Sequence, residues 1–135
     1  MTAFVCIDDK NGIEFNNRRQ SRDALVIQKV VEMANGRRIF IDEYSKPLFE
    51  NINAGNIVVC DNIFSEIKDC DCCFFEKGDI SVLDKKISEL VVFKWNRVYP
   101  SDKKLGIDFS SRILTDSFEF KGNSHDRITC EIWCK

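Results

Sequence analysis

The sequence predicts one α/β domain: a mostly parallel central sheet flanked by helices, closed by a C-terminal antiparallel hairpin. Three observations carry this. Short apolar runs at Phe4–Ile7, Ile39–Ile41, Ile57–Cys60 and Cys72–Phe75 are continuous, the pattern of strands buried on both faces. Helical spacing or turn chemistry separates them, so consecutive strands need crossovers and pair in parallel. Arg112–Phe120 and His125–Trp133 instead flank the turn Lys121-Gly122-Asn123-Ser124, which reads as a hairpin.

In chain order, Ala3–Ile7 is the first strand, and the Asn11-Gly12 turn follows it. A helix begins near Ser21, which is placed to cap its first free amides, with Asp23 in the first turn where the helix dipole favours a carboxylate. Leu25, Val26, Val30, Met33 and Ala34 recur at helical spacing, and Ala34-Asn35-Gly36 is a stop signal. Arg37–Ile41 is a second strand, Leu48-Phe49 a helical turn after Pro47, and Ile57–Cys60 a third strand. Asp61–Cys70 carries one or two helical turns, Cys72–Phe75 a strand, Ile80–Lys86 a brief helix and Glu89–Trp95 the longest apolar strand. In Arg112–Phe120, Ile113, Thr115, Ser117 and Glu119 alternate with Leu114, Asp116, Phe118 and Phe120; in the returning strand Ile128, Cys130 and Ile132 share one face.

With 135 residues the chain is a single domain that can bury roughly two-thirds of its unfolded surface. A net charge of −2 and a pI near 5.5 leave no basic footprint for nucleic acid. No apolar stretch is long enough to span a membrane, and no export signal follows Met1, so a cytoplasmic protein is expected. The seven cysteines then read as reduced thiols, several of them small apolar residues. Cys70 and Cys73 form a C-x-x-C and Cys130 and Cys134 a C-x-x-x-C, a set that could in principle hold zinc.

The order of elements resembles the dihydrofolate reductase fold, and particular residues carry the resemblance. Asn11–Asn17 is similar to that family's first loop, and Asp23–Gln28 to its acid-leucine-x-x-phenylalanine-lysine helix. Cys72–Phe109 resembles its strand, glycine turn, helix and long strand without a gap, and Ser124–Trp133 its closing strand. The resemblance implies that Asp23 is the carboxylate that binds a pteridine ring. It also implies that Ile27 stands where a phenylalanine packs on the ring, and that Lys94 replaces a threonine assisting the carboxylate. It further implies strands in an order that leaves two others between Cys72-Cys73 and Cys130–Cys134, about 14 Å apart, too far for four sulfurs on one metal. No metal site is expected.

The chain departs from the family most on the cofactor side. The family's leucine-proline-tryptophan loop segment is absent, Glu14 replaces a glycine, and the adenosine-binding part is reduced between Cys60 and Cys72. A glycine-arginine-x-threonine that holds dinucleotide phosphates reads Asp42-Glu43-Tyr44-Ser45, and a glycine pair reads Glu76-Lys77-Gly78. A unit charge about 4 Å away is worth roughly 1 kcal/mol in water and about 4 at an effective dielectric of 20. Replacing Arg by Glu reverses its sign. No cofactor and no catalytic residue are therefore expected.

Other chemistry is weakly signalled. The chain is also similar to small bacterial proteins sometimes labelled ribonuclease Z, but one histidine cannot build that label's two-metal cluster. His125 reads as the start of a strand, Trp95 as core, and Cys60 as the least implausible reactive thiol. Arg18, Arg19 and Arg22 beside Asp23 form either a solvated loop or a grip on an anion. Asp23 itself is either a ligand anchor or a helix-start residue. The leading expectation is a non-catalytic dihydrofolate reductase-like domain that binds a small planar or anionic ligand through Asp23, Ile27, Arg18, Arg19, Arg22 and Lys94. The alternatives are a protein-interaction module whose pocket is filled by Phe15, Ile27 and Lys94, and a pterin- or nucleotide-dependent reductase.

Overall fold

The buried run near the amino terminus is the axis of the sheet. In the computed structural model, which describes residues 1–135, it forms β1 (Thr2–Ile7) and pairs in parallel on both sides. Its neighbours are β6 (Cys72–Phe75) and β7 (Glu89–Lys94), and Phe4 stands opposite both Phe74 and Val91. Beyond β6 lie β4 (Ile39–Ile41) and β5 (Ile57–Val59), both parallel. Beyond β7, the hairpin β9 (Ile113–Phe120) and β10 (Ile128–Cys134) is antiparallel. The seven-stranded order is β5-β4-β6-β1-β7-β10-β9, so β1 and β7 separate β6 from β10 as the zinc argument requires.

Alternation along β1 divides the core between two layers. Phe4, Phe74, Val91, Phe93 and Trp95 face α1 (Ala24–Ala34), whose Val26, Ile27, Val30 and Ala34 form its apolar stripe. Burying each large side chain contributes about 1.5–3 kcal/mol, so packing rather than propensity secures this short helix. The one-turn α2 (Lys46–Phe49) joins this layer by setting Phe49 edge-on against Phe74. On the other face Ala3, Val5, Ile7, Leu90 and Val92 meet α3 (Ile63–Glu66) and the 3₁₀ segment Ile80–Lys86.

Three expectations need correction. The cap of α1 is Asp23, not Ser21: Asp23 is extended (φ −152°, ψ 126°) and its Oδ1 accepts from Leu25 N at 2.9 Å. A carboxylate two residues before a free amide outcompetes a serine two residues further away. His125 does not open the last strand, which starts at Ile128. The loop after β1 also contains β2 (Gly12–Phe15) and β3 (Arg18–Arg19), which join β8 (Lys103–Lys104) in a second, three-stranded sheet. The stop signal of α1 is as expected, with Asn35 left-handed at φ 51°.

Candidate functional site at the start of the first helix

Asp23 marks the carboxyl end of the sheet, where open α/β folds bind ligands. It is 3% exposed. Oδ1 accepts from Leu25 N at 2.9 Å and Asn123 N at 2.8 Å. Oδ2 accepts from Ser124 N at 2.8 Å and Ser124 Oγ at 3.2 Å, and lies 3.0 Å from His125 Nδ1. Burial pushes this carboxyl group up, but the amides of Asn123, Ser124 and Leu25 and the imidazole outweigh it and bring the pKa to about 2. The hairpin turn reaches Asp23 because residue 122 is glycine. A Cβ there would run into the carboxylate and Ile128.

His125 extends the cluster. It is buried, with Nε2 3.0 Å from Ser21 Oγ and 3.1 Å from Tyr99 Oη. Its ring stacks on Trp95, with centroids 4.6 Å apart and planes 24° apart. Tyr99 is placed by its own amide, which donates to Asp8 Oδ2 at 3.1 Å. Asp8, itself buried, also accepts from Gly12 N and Gln20 Nε2 and so ties the first loop to the end of β7.

The positions that correspond to the family's phosphate-facing elements are occupied from within. Arg19 grips Glu76 with two contacts, Nε–Oε2 at 2.7 Å and Nη2–Oε1 at 3.0 Å, and its guanidinium lies 4.2 Å from the Tyr44 ring centroid. Ser45 Oγ donates to Glu76 Oε1 at 2.7 Å, and Lys77 Nζ lies 3.9 Å from the Tyr44 ring centroid. A dinucleotide phosphate would have to displace Arg19 and face the Glu76 carboxylate together with Asp42 and Glu43. These residues do not fit that cofactor.

Two open clefts and two much smaller spaces surround the cluster. Arg22, Asp23, Ile27, Leu48, Asn51 and Ser124 line a cleft of about 360 Å³ between α1 and α2. Arg18, Arg19, Gln20 and Tyr99 border a second, of about 490 Å³. Between α1 and the central strands only cavities of about 10 Å³ each exist, walled by Cys6, Ser21, Glu76 and Trp95. Of the residues expected around a ligand, Asp23, Ile27 and Arg22 come together, whereas Arg18 and Arg19 belong to the other cleft. Lys94 lies apart: it is on the sheet face opposite α1, 3.3 Å from Glu131. Trp95, one residue on, takes the place beside Asp23 that the resemblance implied for position 94. The interior is thus filled by Trp95 and the Arg19–Glu76 pair rather than by Phe15 and Lys94; Phe15 is exposed.

Sequence reasoning missed His125 as a partner of Asp23, and Ser21 and Tyr99 as partners of His125. A lone histidine directly after a glycine-containing turn was the available signal. Cys60 is a poor nucleophile, since burial and then Glu66, 3.4 Å from its sulfur, push the thiol up. No group of three or more His, Cys, Asp or Glu side chains is arranged to hold a metal ion. No helix is long and apolar enough to cross a membrane.

A mostly parallel sheet closed by a C-terminal antiparallel hairpin defines the class, an open α/β fold. No protein-family model matches this chain, and no curated protein does. Among solved structures it is similar to a dihydrofolate reductase from Enterococcus faecalis complexed with NADP(H) and RAB-propyl. The TM-score is 0.69 at 9% identity, over 98% of this chain and 94% of that one. The chain has a dihydrofolate reductase-like fold.

Proposed function

We propose that this is a dihydrofolate reductase-like domain without reductase chemistry, which takes a small anionic or planar ligand in the cleft between α1 and α2. The observation that supports this reading best is the saturation of Asp23. A pteridine needs a carboxylate with free acceptor capacity, and here both oxygens already accept from Leu25, Asn123 and Ser124. Displacing those donors would leave buried amides unpaired, at about 1–3 kcal/mol each. The cleft beside it stays open and carries Arg22, Asn51 and the apolar walls Ile27 and Leu48.

The test is intrinsic fluorescence of Trp95 and Trp133 with parallel melting curves, against NADPH, dihydrofolate, pterins and small carboxylates. No saturable response to NADPH or dihydrofolate is expected, and a response to an anion should be lost in Arg22→Ala. Tight NADPH binding would return the reductase reading. Silence toward every small molecule would favour a second reading, a protein-interaction module, which draws support from the filled interior and from exposed Ile113 and Leu114 on the edge strand β9.

A further inference from the structure

Ser21, His125 and Asp23 stand in one line of hydrogen bonds that the loss of reduction does not require. Ser21 Oγ is 3.0 Å from His125 Nε2, and His125 Nδ1 is 3.0 Å from Asp23 Oδ2. From this geometry we propose that Ser21 is a nucleophile, with His125 as its base and Asp23 as the positioning carboxylate, for the hydrolysis of small esters or thioesters bearing an anionic group. The inference goes beyond the reading above and is read out separately from ligand titration.

A serine hydroxyl attacks only when an adjacent base takes its proton. A neutral imidazole serves as that base when its other nitrogen carries the hydrogen. Asp23 is sealed from water and held ionised, so it accepts Nδ1–H and leaves Nε2 as an acceptor facing Ser21. Trp95 fixes the plane of the ring from one side. Tyr99 Oη, the second hydroxyl at Nε2, can accept from that nitrogen once it is protonated.

The neighbours of Ser21 and the charge around it bear on this role. Ser21 is half-buried between Gln20, which borders the larger cleft with Tyr99, and Arg22, which borders the cleft between α1 and α2. Ser21 itself lines only the two spaces of about 10 Å³, so an ester has to enter from one of these clefts past Gln20 or Arg22. Arg18 and Arg22 are exposed and make no ion pair, which favours an anionic substituent. The amides of Arg22 and Ala24 make no hydrogen bond to the backbone and lie just after Ser21, at the positive end of α1. They are the donors on hand for a developing oxyanion.

The chemistry closes with water as the only co-reactant. Ser21 Oγ adds to the acyl carbon as its proton passes to His125 Nε2. The tetrahedral adduct expels the alcohol or thiol, which leaves with that proton. Water then loses a proton to Nε2 and adds to the Ser21 ester. The carboxylic acid departs as the proton returns to Ser21 Oγ.

The experiment is labelling of the full chain with a fluorophosphonate, read by intact mass and peptide mapping, beside hydrolysis of para-nitrophenyl acetate and the mono-para-nitrophenyl ester of succinate. The expected result is one adduct on Ser21, turnover at least about a hundredfold above that of Ser21→Ala, and preference for the succinate ester. Ser65→Ala, exposed on α3 at the other face of the sheet, should label as the wild type does. Near-UV circular dichroism checks that Ser21→Ala is folded. No adduct on folded wild-type protein, or equal labelling in Ser21→Ala, overturns the proposal. If His125→Ala labels at the wild-type rate, the assigned base is wrong and the proposal falls with it.

Discussion

Two sealed charges sit at opposite ends of the sheet, and the chain surrounds them differently. Asp23, at the carboxyl ends of β1 and β7, is 0% exposed in its side chain and meets donors at both oxygens. Arg112, just before β9 at the amino end of β7, is also 0% exposed in its side chain. It uses one nitrogen: Nη2 donates to Asp84 Oδ1 at 2.6 Å and to Ile87 O at 3.0 Å. Its Nε and Nη1 have no hydrogen-bond partner within the chain. A saturated buried charge defines the position of every group around it, whereas a half-satisfied one is an anchor that a packed apolar side chain can replace. The first orders the groups around it. The second is a structural support.

The comparison breaks most directly at Asp23. Asp23→Ala strands the amides of Leu25, Asn123 and Ser124 and the imidazole of His125, and releases the turn that closes the helix start. Loss of about 3–5 kcal/mol is expected, the range for removing one partner of a buried pair, read as the shift in urea midpoint at constant slope. A loss below about 1 kcal/mol would show that water already reaches these donors, and the contrast with Arg112 would disappear.

Acid sharpens the same point with a smaller effect. The Asp23 pKa is about 2 in the folded chain against an ordinary 3.8. A depressed carboxyl group stabilises the fold fully above its unfolded pKa, and that contribution drains away as pH falls from about 4 toward 2. The difference corresponds to about 2–3 kcal/mol at most. Stability measured down through this window should fall in the wild type more steeply than in Asp23→Asn, which has no proton to gain. Parallel acid limbs in the two proteins would place the titration elsewhere.

Most of the fold was legible in the residues, and the site was not, for one physical reason. Continuous apolar runs such as Phe4–Ile7 and Cys72–Phe75 report burial on two faces, and that information is local. Asp23 was also visible as a carboxylate at a helix start. Its partners Asn123, Ser124 and His125 stand some hundred residues away in sequence and reach it only because Gly122 lets the turn approach. Lys94 illustrates the same limit in the long strand. Its register, one residue from Trp95, decides which face of the sheet it occupies, and an unbroken apolar run carries no alternation from which to read that register. The strands β2, β3 and β8 were missed because they are only two to four residues long, held by pairing with one another.

The smallest effect is expected at Arg112. Arg112→Met keeps the aliphatic stem against its neighbours and removes a charge whose Nε and Nη1 find no acceptor. Its partner Asp84 is left ionised, but that side chain is 28% exposed and water can solvate it. The two consequences oppose each other, so the urea midpoint should move by no more than about 1 kcal/mol, against several for Asp23→Ala. A loss above about 2 kcal/mol would mean that ordered water satisfies the guanidinium in solution. Arg112 would then be a second saturated charge, and what separates the two ends of the sheet would be the presence of Ser21 and His125 beside Asp23.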